Sequence, residues 1–360
     1  MSTPVVGWIP RTPDPRVASV RIRGLGPMRA LAGAGWVSEQ WLPGRRYDVV
    51  VFVKRFDAEA VDIAARLRAQ GTRVITDLCD NPFYNPNGLA SVAEMADGVR
   101  RMAEHSDLLV TSSDALATVA REELAGGPPI VVIGDALDEG LSELRPSLGD
   151  RVAGPAALRR LRRWAAARRA EGRVPLVWFG IHGGPQAPHG MADLERLRPQ
   201  LEGLESSTPV SLTVVSNSAS RFRDITASWR LPVRYVEWRP STFADALSVH
   251  DIAVLPVSRN PFTDCKSNNR VVTALWAGLA VVADGIPSYR DFADCIALDD
   301  WDAGLARYLA SATARTADVE TGRRRVASDW RLDRIAAHWR ALLAAGEQTT
   351  VSHASASATR

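Results

Sequence analysis

Along nearly the whole chain, short runs rich in β-branched residues alternate with longer segments of helical periodicity, and no other feature restricts the fold as much. A strand that reads as an unbroken apolar run is buried on both faces, and parallel neighbours need a helical crossover between them. In the first half the runs are Val5–Ile9, Tyr47–Val53, Arg73–Asp77, Leu108–Thr111 and Ile130–Ile133. Helical patterns separate them at Gly26–Ala34, Ala58–Gln70, Leu89–Glu104 and Ser113–Leu124, with Gly71 as a stop and Ser113 or Asp114 as an N-cap. A second series has runs at Leu176–Phe179, Val210–Val215, Val233–Val236, Ile252–Leu255, Ala280–Ala283 and Cys295–Leu298, with helical patterns at Met191–Leu204, Thr242–Val249 and Asn268–Ala277. Two series, neither continuing the other, predict an α/β protein of two doubly wound, Rossmann-like domains facing each other across a cleft.

At 360 residues the chain has room for two separate cores. The expected division is a first domain at 1–140, an Arg-rich linker or helix at 141–173, and a second domain at 174–325. A helix at 326–345 then crosses back to the first domain, and a disordered Ser/Thr/Ala-rich tail follows at 346–360. Three cysteines, widely spaced, give neither a disulfide framework nor zinc-ligand pairs and point to a reducing cytoplasm. No run approaches the ~20 apolar residues of a membrane span, and no apolar core precedes a cleavage site near the start, so the expectation is a protein neither secreted nor membrane-spanning.

Net charge is +3, but the segment from Arg145 to Arg173 alone carries +7. That segment fits an interdomain helix or peripheral contact with an anionic membrane. With Trp164 alone and no aromatic platform on which bases would stack, it does not read as a nucleic-acid site. Nothing in the sequence sets the oligomeric state.

In open parallel sheets ligands bind beyond the carboxyl ends of the strands, where helix N-termini and free backbone N–H groups collect. After the first strand of the second domain comes a loop with Gly180, His182, Gly183, Gly184, His189 and Gly190, a glycine-rich phosphate cradle with a helix expected to begin near Gly190. Its spacing is not the Gly-x-Gly-x-x-Gly of dinucleotide-binding dehydrogenases. Asn217 and Trp238 follow the next two strands and are placed on the same donor side. Beyond the fourth strand, Asp264, Lys266, Ser267, Asn268, Asn269 and Arg270 crowd into a helix start, with Thr273 one turn on. There Lys266 offers a phosphate a point charge, Arg270 offers a forked donor, and Ser267 or Asn268 can cap the helix.

Of 44 basic residues only Lys54 and Lys266 are lysines. Lys54 ends a strand of the first domain, where Asp80 and Asn81 end the next; Asp80 is a candidate general base, sugar-hydroxyl anchor or turn former before Pro82. Arg21 and Arg23, after the first strand, are candidates to point guanidinium groups into the cleft. No histidines form a metal-ligand pair, Asp300-Trp301-Asp302 reads as a helix start, and neither a nucleophile elbow nor a Walker loop occurs, so neither a metal nor a cofactor is expected.

Two facing α/β domains, the 180–190 loop, and the polar cluster leading into Thr273-Ala-Leu-Trp-Ala-Gly278-Leu-Ala-Val-Val resemble the GT-B glycosyltransferases, in particular their family 4-type group with its E-A-x-A-x-G-x-P-V segment. The likeness covers the whole chain in fold and about a third of it, Trp178 to Tyr289, in motif. It implies transfer of a sugar from a nucleotide-diphosphate sugar to a polysaccharide, glycolipid or natural-product acceptor, without a metal. It also places the donor on the second domain, the acceptor near Arg21, Arg23, Lys54, Asp80 and Asn81, and the helix at Trp330–Leu343 across the back. The sequence departs from the family where its second glutamate falls on Thr273, its first at or beside Asp264 and Cys265, and its loop cation on His189. Lys266 and Arg270 are expected to take over neutralisation of the diphosphate. The other readings are a sugar-nucleotide 2-epimerase and a catalytically silent GT-B-like binding protein.

Overall fold

A computed structural model describes residues 3–344, apart from the side chains of Ser142 and Glu143; the expected tail lies outside the described residues. The first lobe holds β1 (Val6–Pro10), β2 (Ser38–Gln40), β3 (Val49–Val53), β4 (Arg73–Leu78), β5 (Leu108–Thr111) and β6 (Ile130–Val132) in one parallel sheet ordered β2-β1-β3-β4-β5-β6. The second holds β7 (Val174–Phe179), β8 (Val210–Ser216), β9 (Val233–Glu237), β10 (Ile252–Leu255), β11 (Ala280–Ala283) and β12 (Ala297–Leu298), also parallel, ordered β12-β11-β10-β7-β8-β9. The direction of strand progression reverses once in each sheet, between β1 and β3 and between β7 and β10. Crossovers leave opposite faces on either side of such a point, which opens a crevice at the carboxyl ends of its two strands.

The helices are α1 (Gly26–Gly33), α2 (Ala58–Ala69), α3 (Ala90–Glu104), α4 (Asp114–Glu123), α5 (Leu148–Ala170), α6 (Arg198–Gly203), α7 (Ala219–Thr226), α8 (Phe243–Leu247), α9 (Asn269–Ala277), α10 (Trp301–Ala310), α11 (Ala312–Arg325) and α12 (Leu332–Ala344). Ser113 caps α4, its hydroxyl accepting from the Leu116 N–H at 3.2 Å. The buried face of α5 carries Leu158 and Leu161, which join Val177 and Phe179 in the second core. The chain then returns: α12 packs Ile335, Ala336, Trp339 and Leu343 against Val6, Trp8 and Val51 of the first lobe. Trp8 and Trp339 meet edge to face with centroids 5.1 Å apart. Cys265, on the second lobe, is buried among Phe56 and Leu116 of the first, so the lobes are in contact. No helix among the described residues is long and apolar enough to cross a membrane.

Residues 191–204 do not form the single helix expected. A 3₁₀ segment at Gly190–Leu197 gives way to α6 and another 3₁₀ turn at Leu204–Ser206. Pro199 supplies no N–H to close an i→i−4 bond onto Glu195, so the helix restarts there. Three elements lay outside the runs and helical patterns read from the sequence. β2 is a polar edge strand of three residues, α7 buries only Ile225, and α11 has almost no amphipathic asymmetry.

Candidate active site

Both loops singled out by the sequence leave the reversal point of the second sheet. Gly183 and Gly190 take positive φ, +112° and +88°. They fold so closely that a Cβ on Gly183 would stand 2.6 Å from the His189 carbonyl oxygen, and one on Gly190 2.7 Å from the Gly183 nitrogen, so only glycine fits. Arg270, in the first turn of α9, reaches the base of this loop, where a Cβ on Gly180 would lie 3.5 Å from its Nη1. Its half-buried guanidinium has no hydrogen-bond or ion-pair partner among the described residues. Beside it the Nδ2 of Asn269 is buried and also without a partner.

Across the cleft, at the reversal point of the first sheet, Lys54 directly follows β3 as a non-glycine residue at φ +50°. Lys54 Nζ donates to Asp80 Oδ2, and Lys266 Nζ, from the other lobe, donates to Oδ1 of the same carboxylate. The two lysines of the chain thus converge on one acid. Burial pushes the Asp80 carboxyl up, but the two ammonium groups outweigh it and hold the group well below the usual carboxylate range. For Lys54 burial opposes the charge, and Cys79 and Asp80 nonetheless hold its ammonium above the usual lysine range. Lys266 Nζ also lies 4.0 Å from the centre of the Phe262 ring.

Further bonds tie the lobes around this triad. Asn81 Nδ2 donates to the Pro261 carbonyl at 3.0 Å, Gln186 Nε2 to the Asn81 carbonyl at 2.9 Å, and Ser113 Oγ to the Cys265 carbonyl at 2.8 Å.

Solved structures share this arrangement of sheets and cleft. Sucrose-phosphate synthase from Thermosynechococcus elongatus is 14% identical, with 95% of this chain and 100% of that one covered at a TM-score of 0.64. WaaG, a glycosyltransferase involved in lipopolysaccharide biosynthesis, is 12% identical with the same coverages and a TM-score of 0.61. The UDP-forming α,α-trehalose-phosphate synthase from Burkholderia vietnamiensis is 14% identical, over 89% and 75%, at 0.54. This chain has the GT-B fold. No protein-family model matches it, and no curated protein matches it in sequence.

Within the GT-B cleft, several residues sit otherwise than the sequence suggested. Arg21 and Arg23 do not present guanidinium groups to a ligand, because both are spent in enclosed ion pairs. Arg21 grips Asp138 at 2.6 Å, while Arg23, 2% exposed, is paired to the fully buried Asp77 and reaches Asp135 at 3.2 Å. Neither Ser267 nor Asn268 caps α9: Ser267 Oγ donates across the cleft to Asp135 at 2.5 Å and Asn268 Nδ2 to Asp291 at 3.0 Å. Asp264 is paired with Arg259, and Trp238 packs against Phe243 in the core. Asn217 Oδ1 accepts the His182 N–H at 3.0 Å and lies 3.0 Å from its Nδ1. His189 is held below the ordinary imidazole range by burial, and Lys266 adds to that, against the Ala187 carbonyl that its Nδ1 meets at 2.7 Å. It is a neutral ring at neutral pH, leaving the local positive charge to Lys266 and Arg270. Thr273 lies half-buried one turn beyond Asn269.

The GT-B cleft also depends on a residue that sequence reading missed. Asp193, 2% exposed, accepts from the Gly190 N–H at 2.9 Å with one oxygen and from the Ser258 N–H at 3.1 Å with the other, fastening the glycine loop to the loop that leads into α9. Asn260 Nδ2 adds a bond to the Pro188 carbonyl at 3.0 Å. Asp193 stands three residues after Gly190, an interval at which a carboxylate reaches back to the first N–H of a turn; that spacing was its only signal. No group of three or more His, Cys, Asp and Glu side chains among the described residues converges as metal ligands would.

Proposed function

We propose that the chain is a glycosyltransferase that moves a sugar from a nucleotide-diphosphate sugar to an acceptor, the protein's own cations meeting the charge of the departing diphosphate. The observation that carries this reading is the convergence, at the strand reversal of the second lobe, of a loop folded tightly on Gly183 and Gly190, the unpartnered Arg270 and the ammonium of Lys266. Cleavage of the bond between sugar and diphosphate builds negative charge on the leaving oxygens, and donors already fixed around that position stabilise it without reorganising. Lys266 rests on Asp80; a diphosphate that takes up this ammonium leaves Asp80 to Lys54. Asp80, a weak base when so held, positions the lysines and does not accept a proton. The acceptor then lies against the first lobe beside Lys54, Asp80 and Asn81, and the closed lobes keep water from the donor.

The neighbouring fold that is UDP-forming makes UDP-sugars the first donors to try. An epimerase needs acid and base groups around the sugar, and His182, which the sequence offers for that role beside Asp80, is exposed and tied to Asn217. Incubation with UDP-, ADP- and GDP-sugars in the presence of candidate acceptors tests the proposal by release of nucleoside diphosphate and formation of a glycosylated product. Lys266→Ala is expected to lower turnover by about 10²–10³, the usual cost of removing one charge-stabilising donor. Unchanged turnover in that variant, or an isomerised donor sugar, overturns the proposal.

A further inference from the structure

The first two turns of α5 expose two large apolar side chains, Leu148 at 80% and Val152 at 76%, the most exposed large apolar residues among those described. At 3.6 residues per turn, Leu148, Val152, Arg159 and Arg163 fall within roughly 60° of one another on the face opposite the buried Gly154, Leu158, Leu161 and Ala165. Arg151, Arg159, Arg160 and Arg163 have no side-chain partner among the described residues, whereas Arg162 and Arg169 are paired to Asp245 and Asp251. Alongside runs a groove of about 220 Å³ between α5 and the end of β9, lined by Ala153, Ala157, Arg160, Arg234, Tyr235 and Arg239 together with Val236 and Glu237. In it the Nε of Arg234 and the Nε and Nη1 of Arg239 are buried without a hydrogen-bond acceptor. Asp150 compensates the charge of Arg239 without a hydrogen bond, and no acid is paired with Arg234 among the described residues. Glu237 takes the Tyr235 hydroxyl, and Asp150 lies 3.2 Å from Arg239 Nε without hydrogen-bond geometry. Arg160, Arg234 and Arg239 make the groove cationic, and a phosphate entering it meets their charge.

We propose that this face of α5 and the adjoining groove dock on an anionic phospholipid bilayer. Leu148 and Val152 enter the boundary between headgroups and acyl chains, the unpaired arginines attract the lipid phosphates, and one headgroup phosphate fills the groove. Two inserted apolar side chains add hydrophobic transfer to an electrostatic attraction that alone falls off within a Debye length. The position also matters: β9 is parallel to β7, so its end lies on the strand-end side of the second sheet, the side on which the glycine loop leaves β7. Docking there keeps the side of the lobe that bears the cleft next to the membrane. The inference rests on exposure, charge and the groove, and stands whatever reaction the cleft performs.

Flotation of the full chain with vesicles tests it. Binding is expected to vesicles containing phosphatidylglycerol and not to phosphatidylcholine alone, and is released by raising salt. The double variant Arg159→Gln/Arg163→Gln should partition roughly 25-fold less, at about fivefold for each charge near the surface. Leu148→Ser/Val152→Ser should bind about tenfold less with the salt dependence intact. Both variants should keep the parent's circular dichroism and unfolding midpoint, because these side chains pack on nothing. Absence of flotation, or flotation unchanged in both variants, overturns the proposal. Thermal protection by inorganic phosphate or glycerol phosphate without flotation overturns it in favour of a free anion, and heparin binding without flotation overturns it in favour of another polyanion.

Discussion

The pair Arg23–Asp77 offers a worked test of how the first lobe is held. Asp77 is fully buried and Arg23 2% exposed; the guanidinium Nε lies 3.1 Å from both carboxylate oxygens, and Nη1 donates to the Ile133 carbonyl at 2.6 Å. Asp77→Asn keeps the shape and removes the charge. Arg23 then retains only Asp135, at 3.2 Å and already engaged by Ser267, so its positive charge stays buried and largely uncompensated. Breaking one half of a buried pair costs about 3–5 kcal/mol, and the surviving contact to Asp135 puts the expected loss near about 3 kcal/mol. Replacing both members, Arg23→Met with Asp77→Leu, removes the stranded charge and should cost less than either single change. Urea unfolding followed by circular dichroism measures the parent, Asp77→Asn, the single changes Arg23→Met and Asp77→Leu, and the double variant. If Asp77→Asn unfolds within about 0.5 kcal/mol of the parent, or if the double variant costs the sum of its singles, the ion pair is not what stabilises this site.

Three further outcomes are expected. His250 donates or accepts at 2.7 Å with Thr213, and burial, against the Leu247 and Ala246 carbonyls, pushes its imidazole down to about 4. It is neutral in the fold, so its contribution is complete above its unfolded value of ~6.5 and is lost as pH falls toward about 4, by at most roughly 3 kcal/mol. Parent and His250→Gln unfolding compared across that window should differ in slope; equal slopes reject this assignment. Gly183→Ala forces a side chain into a left-handed conformation against the His189 carbonyl and should cost about 1–3 kcal/mol while weakening nucleoside diphosphate binding, read by thermal unfolding and calorimetry. Trp339→Ala empties the contact with Trp8 and should cost the first lobe about 3–5 kcal/mol, although Trp339 lies at the far end of the chain, and an unchanged unfolding curve would detach α12 from that lobe.

The two-lobe architecture was legible because its strands announce themselves: Val49–Val53 and Ile252–Leu255 are apolar at every position and buried at every position. The glycine loop and the start of α9 were legible because strand ends are where crevices open. What periodicity could not convey was pairing over long sequence distances. Arg23 reads as one of many surface arginines until the fold sets Asp77 and Asp135 around it, 54 and 112 residues away. Asp193 looks like any acid in a first turn until Ser258 arrives beside it. The lysines were legible by rarity alone; that Lys54 and Lys266 share Asp80 follows from the two lobes meeting, which no local pattern encodes.

The central claim is that the cleft holds a diphosphate on Lys266, Arg270 and the glycine loop, and calorimetric titration of UDP against uridine addresses it most directly. UDP should bind the parent well above uridine, and Lys266→Ala and Arg270→Ala should each weaken UDP by about 10–100-fold, the worth of a charge-assisted hydrogen bond, with uridine unaffected. Equal affinities for UDP and uridine together with those for ADP and GDP against their nucleosides, or full affinity for a diphosphate in both variants, would contradict it.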